Sequence, residues 1–336
     1  MLPRILAAAA LLAIALAAFV AAWPQLFGLQ LLPGVAHAVS LRGLAIGVAV
    51  LAMLALLLVS LASRSARRFA ASLALIFLVF ALVSGAVVAT RGLGNTAFTT
   101  KADSDLTVLT WNTLGDAPGA EAIAQLVLDS AADVVVLPET SAEMGDLVAA
   151  RLAASGRPMA SLTLAYDQIS KARSTTLLIS DALGKYEYSP ERTTSVLPTL
   201  VATPVNGEGP TIIAVHSVAP VPGEFDHWQS DLRWLSDACV GDNVIMAGDF
   251  NATLDHFAGL GNTGATTLGD CTDASLLSDN GAVGTWPTTL PALAGAPIDH
   301  VMQTANWTVS GMRVYESYDK YGSDHRPVAV QLSPAG

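Results

Sequence analysis

The chain has 336 residues, 52% of them hydrophobic and 13% charged, with a formal net charge of −11. Residues 1–91 contain six Arg and no Asp, Glu or Lys, so the remainder carries 11 Lys and Arg against all 28 Asp and Glu, a formal charge of −17. That split excludes one uniform soluble globule, and an acidic domain whose basic residues form no run argues against a surface built to hold nucleic acid.

In chain order, three uncharged apolar runs come first, roughly Ile5–Ala22, Gly43–Ala62 and Phe69–Thr90. Each approaches or exceeds the ~20 residues needed to cross a ~30 Å hydrocarbon layer, so three transmembrane helices are expected. A signal peptide is the other reading of the first run, but the small-residue site Ala36-His37-Ala38 lies far downstream of it. Arg64, Arg67 and Arg68 separate the second and third runs and Arg4 precedes the first. The positive-inside rule then places the N-terminus and that turn in the cytoplasm and everything after Arg91 outside. The runs hold no Asp, Glu, Lys or Arg, which points to anchoring and not to ion transport. The expected organisation is a membrane domain over 1–91, a linker over 92–104 and a catalytic domain over 105–336.

Within the soluble part, Leu106–Thr110 reads as a strand ending in Trp111-Asn112-Thr113, and Ala120–Ser130 has helical spacing. Val134–Leu137 lacks alternation and reads as a fully buried strand, followed by Pro138-Glu139-Thr140. Ser141 is placed to cap a helix running to about Ala154. Strands are expected at Thr175–Ser180, Leu197–Val205 and Thr211–Val215, the last running into His216-Ser217-Val218-Ala219-Pro220. Phe225–Cys239 has helical spacing, and Val244–Asn251 reads as an apolar strand ending in Gly-Asp-Phe-Asn. On an extended backbone Asp249 and Asn251 would face the same side; an ordinary turn is the bland alternative. Gly259–Gly269 reads as a surface loop, and Ile298–Met302, Trp307–Tyr315 and Val328–Leu332 as the last strands. Strands and helices mix without strict alternation. The expected fold is therefore α/β, a four-layer sandwich of two packed mixed sheets flanked by helices. Cys239 and Cys271 are the only cysteines. A disulfide between them and a pair of buried thiols both remain open.

Six strand ends carry polar groups: Asn112, Glu139, His216, Asp249 with Asn251, Asp299, and Asp324 with His325. Any one of them is an ordinary turn residue. The ordered set Thr110-Trp111-Asn112, Leu137-Pro138-Glu139, His216–Pro220, Gly248–Asn251, Ile298-Asp299-His300 and Ser323–Val328 resembles the endonuclease/exonuclease/phosphatase family of metal-dependent phosphoesterases. Three preceding membrane spans, with the stretch His-Ser-Val-Ala-Pro-Val-Pro-Gly from His216, resemble a bacterial membrane-bound branch that includes proteins of glycopeptide-antibiotic resistance. The resemblance implies that Glu139, with Asn112 beside it and Asp324 adding to it, binds a hard divalent cation, Mg²⁺ or Mn²⁺. It implies that Asp249 orients or deprotonates the attacking water and that Asn251 binds a phosphate oxygen. His216 and His325 would stabilise the phosphoryl group, and Asp299 would fix the His325 tautomer. The family pattern is departed from at Leu114, where a second acid often stands, and at Arg173-Ser174, where a Glu partner for His216 is lacking. One metal is therefore expected sooner than two, and the partner of His216 is left open.

The tether and the acidity favour a phosphate ester or diphosphate of a lipid or polyprenyl-linked substrate at the outer face of the cytoplasmic membrane. The alternatives are an extracytoplasmic nuclease and a non-catalytic, membrane-anchored binding module.

Overall fold

The computed structural model describes residues 2–167, 169–264 and 266–335. Three long apolar helices open the chain: α1 (Leu2–Ala22), α3 (Arg42–Ala62) and α4 (Arg67–Arg91), with the short α2 (Val35–Ser40) between the first two. At 1.5 Å per residue, each of the three long helices reaches about 30 Å or more. They lie close to the expected spans, extended by a few residues because the flanking arginines continue the helix. Helix α4 packs against both α1 and α3. Leu51, Leu58 and Leu82 on the outer faces are 64–68% exposed, leaving apolar surface suited to lipid.

From Leu106 onward the chain forms two six-stranded mixed sheets packed face to face. Strands β1 (Leu106–Thr110), β2 (Val134–Pro138), β3 (Met159–Ala165) and β4 (Ser174–Ser180) begin the first sheet. The second holds β5 (Tyr186–Tyr188), β6 (Leu200–Pro204), β7 (Thr211–His216), β8 (Val244–Asp249), β9 (Thr272–Asp273) and β10 (Asp299–Gln303). Strands β11 (Trp307–Val314) and β12 (Val328–Pro334) return to the first, giving the orders β11-β12-β1-β2-β4-β3 and β5-β6-β7-β8-β10-β9. Among the described strands, only the pairs β1–β2 and β7–β8 are parallel. These central pairs carry the runs without alternation, because each is covered on both faces. Val108, Val136, Leu177, Ile212, Ile245 and Val330 fill the space between the sheets. Helices α5 (Gly119–Ser130) and α6 (Ala142–Ala154) cover the first sheet, and α7 (Phe225–Ala238) covers the second. Ser141 caps α6 by accepting from the Met144 amide.

Three strands had no sequence signal. β3 is a half-exposed edge strand with mixed burial, and β5 and β9 are three and two residues long. Cys239 and Cys271 form a disulfide, with Cα atoms 6.0 Å apart, which resolves the pairing left open above.

The ends of the long helices dock on the two-sheet domain at one buried carboxylate. Asp255 accepts from Arg42 at 2.8 Å and from both terminal nitrogens of Arg91 at 2.8 and 2.9 Å. Gln25, just past α1, donates to the same carboxylate. The C-terminal end of α1, the N-terminal end of α3 and the C-terminal end of α4 therefore converge on this face. The α3–α4 turn with Arg64 lies at the opposite end.

Candidate active site

The site forms because strand register puts short polar side chains in adjacent rows. In the first sheet the amides of Trp111 and Thr113 donate to the carbonyls of Val136 and Pro138, extending the β1–β2 ladder past both strand ends. Asn112 thereby stands beside Glu139, and its Nδ2 donates to Oε1 at 3.1 Å. In the second sheet His216 pairs with Asp249 across β7–β8, and Asp249 pairs with Asp299 across β8–β10. The sheets meet at these ends, so the Asn112 Nδ2 also donates to Asp249 Oδ2 at 3.0 Å. One amide thus bridges two carboxylates that belong to different sheets. Its own Oδ1 accepts from the Leu114 amide.

The loop before β12 adds the remaining groups. Ser323 Oγ donates to the Asn112 carbonyl at 2.6 Å, and the Trp111 indole donates to the His325 carbonyl at 2.8 Å. These two bonds hold His325 over the strand ends. Its Nδ1 lies 2.9 Å from Asp299 Oδ2, and its Nε2 faces Asp249 at 3.8 Å and Asp324 at 4.0 Å. The structure brings together Asn112, Glu139, His216, Asp249, Asn251, Asp299, Asp324 and His325 in one cluster at the meeting strand ends, and five of them, Glu139, His216, Asp249, Asn251 and His325, line one cavity.

Asp249 and Asn251 are neighbours for a reason other than the expected one. The strand ends at Asp249, and Asn251 turns into the left-handed region at φ 47°. The Asn251 amide donates to Asp249 Oδ1 at 2.8 Å, closing an Asx-type turn. Its side-chain nitrogen then donates to the Ser217 carbonyl and to Asp249 Oδ2. Glu139 also has a left-handed backbone, at φ 58°. Strain of this kind at two non-glycine strand ends is characteristic of a site whose surroundings over-determine its geometry.

The electrostatics follow from burial against charge. Burial opposes charging of His325, but the Asp299 and Asp249 carboxylates outweigh it and push the imidazole up to about 10. Burial, reinforced by repulsion from His325, pushes His216 down to about 3, so it stays neutral. Its Nε2 lies 4.0 Å from Glu139 Oε1, while its buried Nδ1 has no hydrogen-bond partner. Among the described residues Glu139 is thus the carboxylate that faces this histidine, at a distance longer than a hydrogen bond. Burial raises Glu139 and pushes Asp249 up to about 7.

The donor set suits a hard cation. Glu139, Asp249, Asp299 and Asp324 crowd four carboxyl groups around a single charged imidazole. The buried Oδ1 atoms of Asp299 and Asp324 have no hydrogen-bond partner. Donor atoms of Asp249, Asp299 and His325 lie within 4.8 Å of one another. Oxygen-rich sites with unsatisfied carboxylates are those that Mg²⁺-like ions complete, with water filling the rest of the shell.

Of three supporting residues, Ser217 and Ser323 stood inside the motifs without an assigned role, and Trp286 carried no motif at all. Trp286 donates its indole N–H to Asp324 Oδ2 at 2.9 Å, while Ser217 and Ser323 act through a backbone carbonyl and a short hydroxyl contact. A Trp in a Gly- and Thr-rich loop with no apolar periodicity to bury it was the one available signal. The cavity above the cluster has a volume of about 340 Å³, a floor of Glu139, His216, Asp249, Asn251 and His325, and apolar sides that include Leu197, Ala219, Pro220, Val221 and Ile298. No Lys or Arg lines it among the described residues.

Comparison with solved structures gives the same architecture. Over 69% of this chain and all of theirs, a D. rerio TDP2 humanized by 14 mutations superposes with a TM-score of 0.53 at 18% identity. A Bacteroides vulgatus endonuclease/exonuclease/phosphatase superposes over the same shares with a TM-score of 0.53 at 16% identity. A Beutenbergia cavernae protein of that description gives 0.50 at 20%, covering 69% of this chain and 72% of its own. These likenesses show the fold. A comparison with curated proteins gives no match. The model of the Endonuclease/Exonuclease/phosphatase family matches residues 109–325, a span that begins after the three apolar helices and takes in the first five motifs and the sixth as far as His325. The chain belongs to that family, whose members are hydrolases acting on phosphate esters with the help of divalent metals.

Proposed function

We propose that this protein hydrolyses a phosphate ester or diphosphate carried on a lipid or polyprenyl chain at the outer face of the cytoplasmic membrane. The observation that carries the reading is the composition and placement of the cavity. A cluster built for phosphoryl chemistry forms its floor, apolar side chains form its sides, and the segment that follows Asn251 docks on the ends of the long apolar helices through Asp255. A phosphate on an apolar chain needs both surfaces at a membrane boundary.

Mg²⁺, or Mn²⁺, held by Glu139 with Asp324 and Asn112 near it, would neutralise charge on the phosphoryl oxygens and help orient the substrate. Asp249 orients a water for in-line attack and takes its proton. Asn251, whose two amide hydrogens go to the Ser217 carbonyl and Asp249 Oδ2, would turn one of them to a phosphate oxygen when substrate binds. Neutral His216 with its proton on Nε2 leaves Nδ1 bare, which matches the lack of a partner there. In that state it donates toward the phosphoryl group. Protonated His325 donates from Nε2 to the charge that grows in the transition state, and Asp299 fixes its ring from the Nδ1 side.

Two observations support the extracytoplasmic placement. The Cys239–Cys271 disulfide suits an oxidising compartment. The arginines of the α3–α4 turn lie at the far end of the helices from the catalytic domain, as the positive-inside rule requires. Full-length protein in detergent is given Mg²⁺ or Mn²⁺ with either a polyprenyl diphosphate or plasmid DNA. EDTA-sensitive phosphate release from the first, with the plasmid left intact, is the expected result. Plasmid cleavage alone establishes the nuclease, and inactivity on both favours the binding module.

A further inference from the structure

The catalytic domain does not enclose its cavity alone. His37, Ser40 and Leu41 also line it, and all three lie in the connection from α1 to α3, the first two on α2. This connection is fixed to the catalytic domain at several points. Ala36 is fully buried in the same apolar cluster as Trp228 and Phe250, and its carbonyl lies 3.3 Å from His256 Nε2. Gln30 donates to the Ala258 carbonyl at 2.9 Å, and Gln229 donates to the Leu31 carbonyl at 3.0 Å. Asp255, His256 and Ala258 follow Asn251 within seven residues. The connection and the phosphate-binding Asn251 are thus held by one short segment. Upstream in the connection, Leu26, Phe27 and Leu32 are 46–57% exposed, next to Trp23 at the end of α1. Apolar and aromatic side chains left uncovered at a helix end mark a membrane interface.

We propose that Val35–Leu41 is the substrate-recognition wall of the active site, so that the membrane domain selects the substrate as well as anchoring the enzyme. His37 is exposed on the cavity side of α2 and is packed edge-on against Phe225, with ring centroids 5.7 Å apart. His37 offers a hydrogen bond to the polar head of a phosphorylated amphiphile, and the Ser40 hydroxyl, which otherwise donates to the Ala36 carbonyl at 2.9 Å, can swing to the same head. Leu41, facing Ile298 and Leu197 in the same cavity, contacts the first carbons of the chain. This inference rests on the lipid-phosphate reading and names the residues that would do the selecting.

The test compares full-length wild type with the double variant H37A/S40A on two substrates: a polyprenyl diphosphate in detergent micelles and the chain-free ester p-nitrophenyl phosphate. The variant should lose at least tenfold more kcat/KM on the polyprenyl diphosphate than on the soluble ester. As a second readout, His37→Cys provides one free thiol beside the disulfide. Its alkylation by a maleimide should slow severalfold with polyprenyl monophosphate and not with the matching alcohol. An unchanged substrate ratio, or alkylation indifferent to the monophosphate, overturns the recognition wall while leaving the lipid reading intact. A wild type that leaves the polyprenyl diphosphate untouched overturns the lipid reading, and the wall with it.

Discussion

Nδ1 of His325 lies 2.9 Å from Oδ2 of Asp299, and both side chains are almost fully buried. The pair is set by the last turn of the chain meeting the start of β10, and it leaves only Nε2 free to face Asp249. Asp299→Asn keeps the shape but removes the charge that holds the imidazole protonated and correctly oriented. We expect kcat to fall on the order of 10²- to 10³-fold, the usual scale for a positioned acid or base, with little change in KM. A pH–rate profile checks the cause. The limb assigned to His325 should move to lower pH, because the carboxylate is what pushes this imidazole up.

Glu139→Gln tests the metal assignment. Glu139 sits at a strained φ of 58°, and its Oε1 accepts from Asn112. An amide keeps the volume and gives up the charge. The Mg²⁺ concentration for half-maximal activity should rise about tenfold or more, on the scale seen when metal-site carboxylates and their supports are altered. Cation titration of activity, with calorimetric binding of Mn²⁺ beside it, measures this. An unchanged Mn²⁺ affinity would move the assignment to the Asp249, Asp299 and His325 cluster.

Much of this site was legible because buried central strands write continuous apolar runs, and a polar residue just past one is conspicuous. Val134–Leu137 before Glu139 and Val244–Ala247 before Asp249 are of that kind, and the order of the motifs carried the family. The turn that brings Asn251 back onto Asp249 was one of two readings, since Gly-Asp-Phe-Asn fits a turn and an extended chain equally well. Edge strands such as β3 escaped because half-exposed backbone tolerates almost any side chain. The docking of Gln25, Arg42 and Arg91 on Asp255 leaves no local pattern, because the partners lie far apart in the sequence.

Gly248 is confined by its neighbours. Its φ is +145°, and a Cβ there would stand 2.0 Å from the Val215 carbonyl oxygen. β7 and β8 approach too closely at this point for any side chain, and the next residue is Asp249. Gly248→Ala should therefore cost on the order of 3 kcal/mol or more through overpacking and backbone strain. Thermal unfolding of the full chain should show a fall in Tm, and activity should drop further than the folded fraction explains, as Asp249 is displaced.

The Cys239–Cys271 disulfide joins the end of α7 to the segment before β9, across 32 residues of sequence. Closing a loop of this size stabilises a fold by about 3–4 kcal/mol in the chain-entropy model. Thiol titration of the unfolded, non-reduced protein should find no free thiol. Reduction should lower Tm without changing the metal dependence of the remaining activity, because both cysteines lie under α7 and away from the cavity.

The segment on which the helix ends dock should lose stability in acid. His256 is fully buried and neutral: burial pushes it down to about 4, although neighbouring Asp255 pulls the other way. Its Nδ1 accepts from the Thr253 amide at 2.8 Å, so the proton on Nε2 points to the Ala36 carbonyl. A second proton must go to Nδ1 and break the Thr253 bond. The folded-state value lies below the ordinary 6.5. Stability from this residue is therefore full above pH 6.5, declines as the pH falls and is lost below about pH 4, an effect of up to about 3 kcal/mol. Arg91 and Arg42 hold the Asp255 carboxyl well below the usual carboxylate range, so it keeps its charge across that window and is not the group that titrates. His256→Gln retains an acceptor for Thr253 and a donor for Ala36 but cannot be protonated. The full-length variant should show a flatter Tm curve between pH 6.5 and 4 than the wild type. Parallel curves would mean that the acid sensitivity of this segment lies elsewhere.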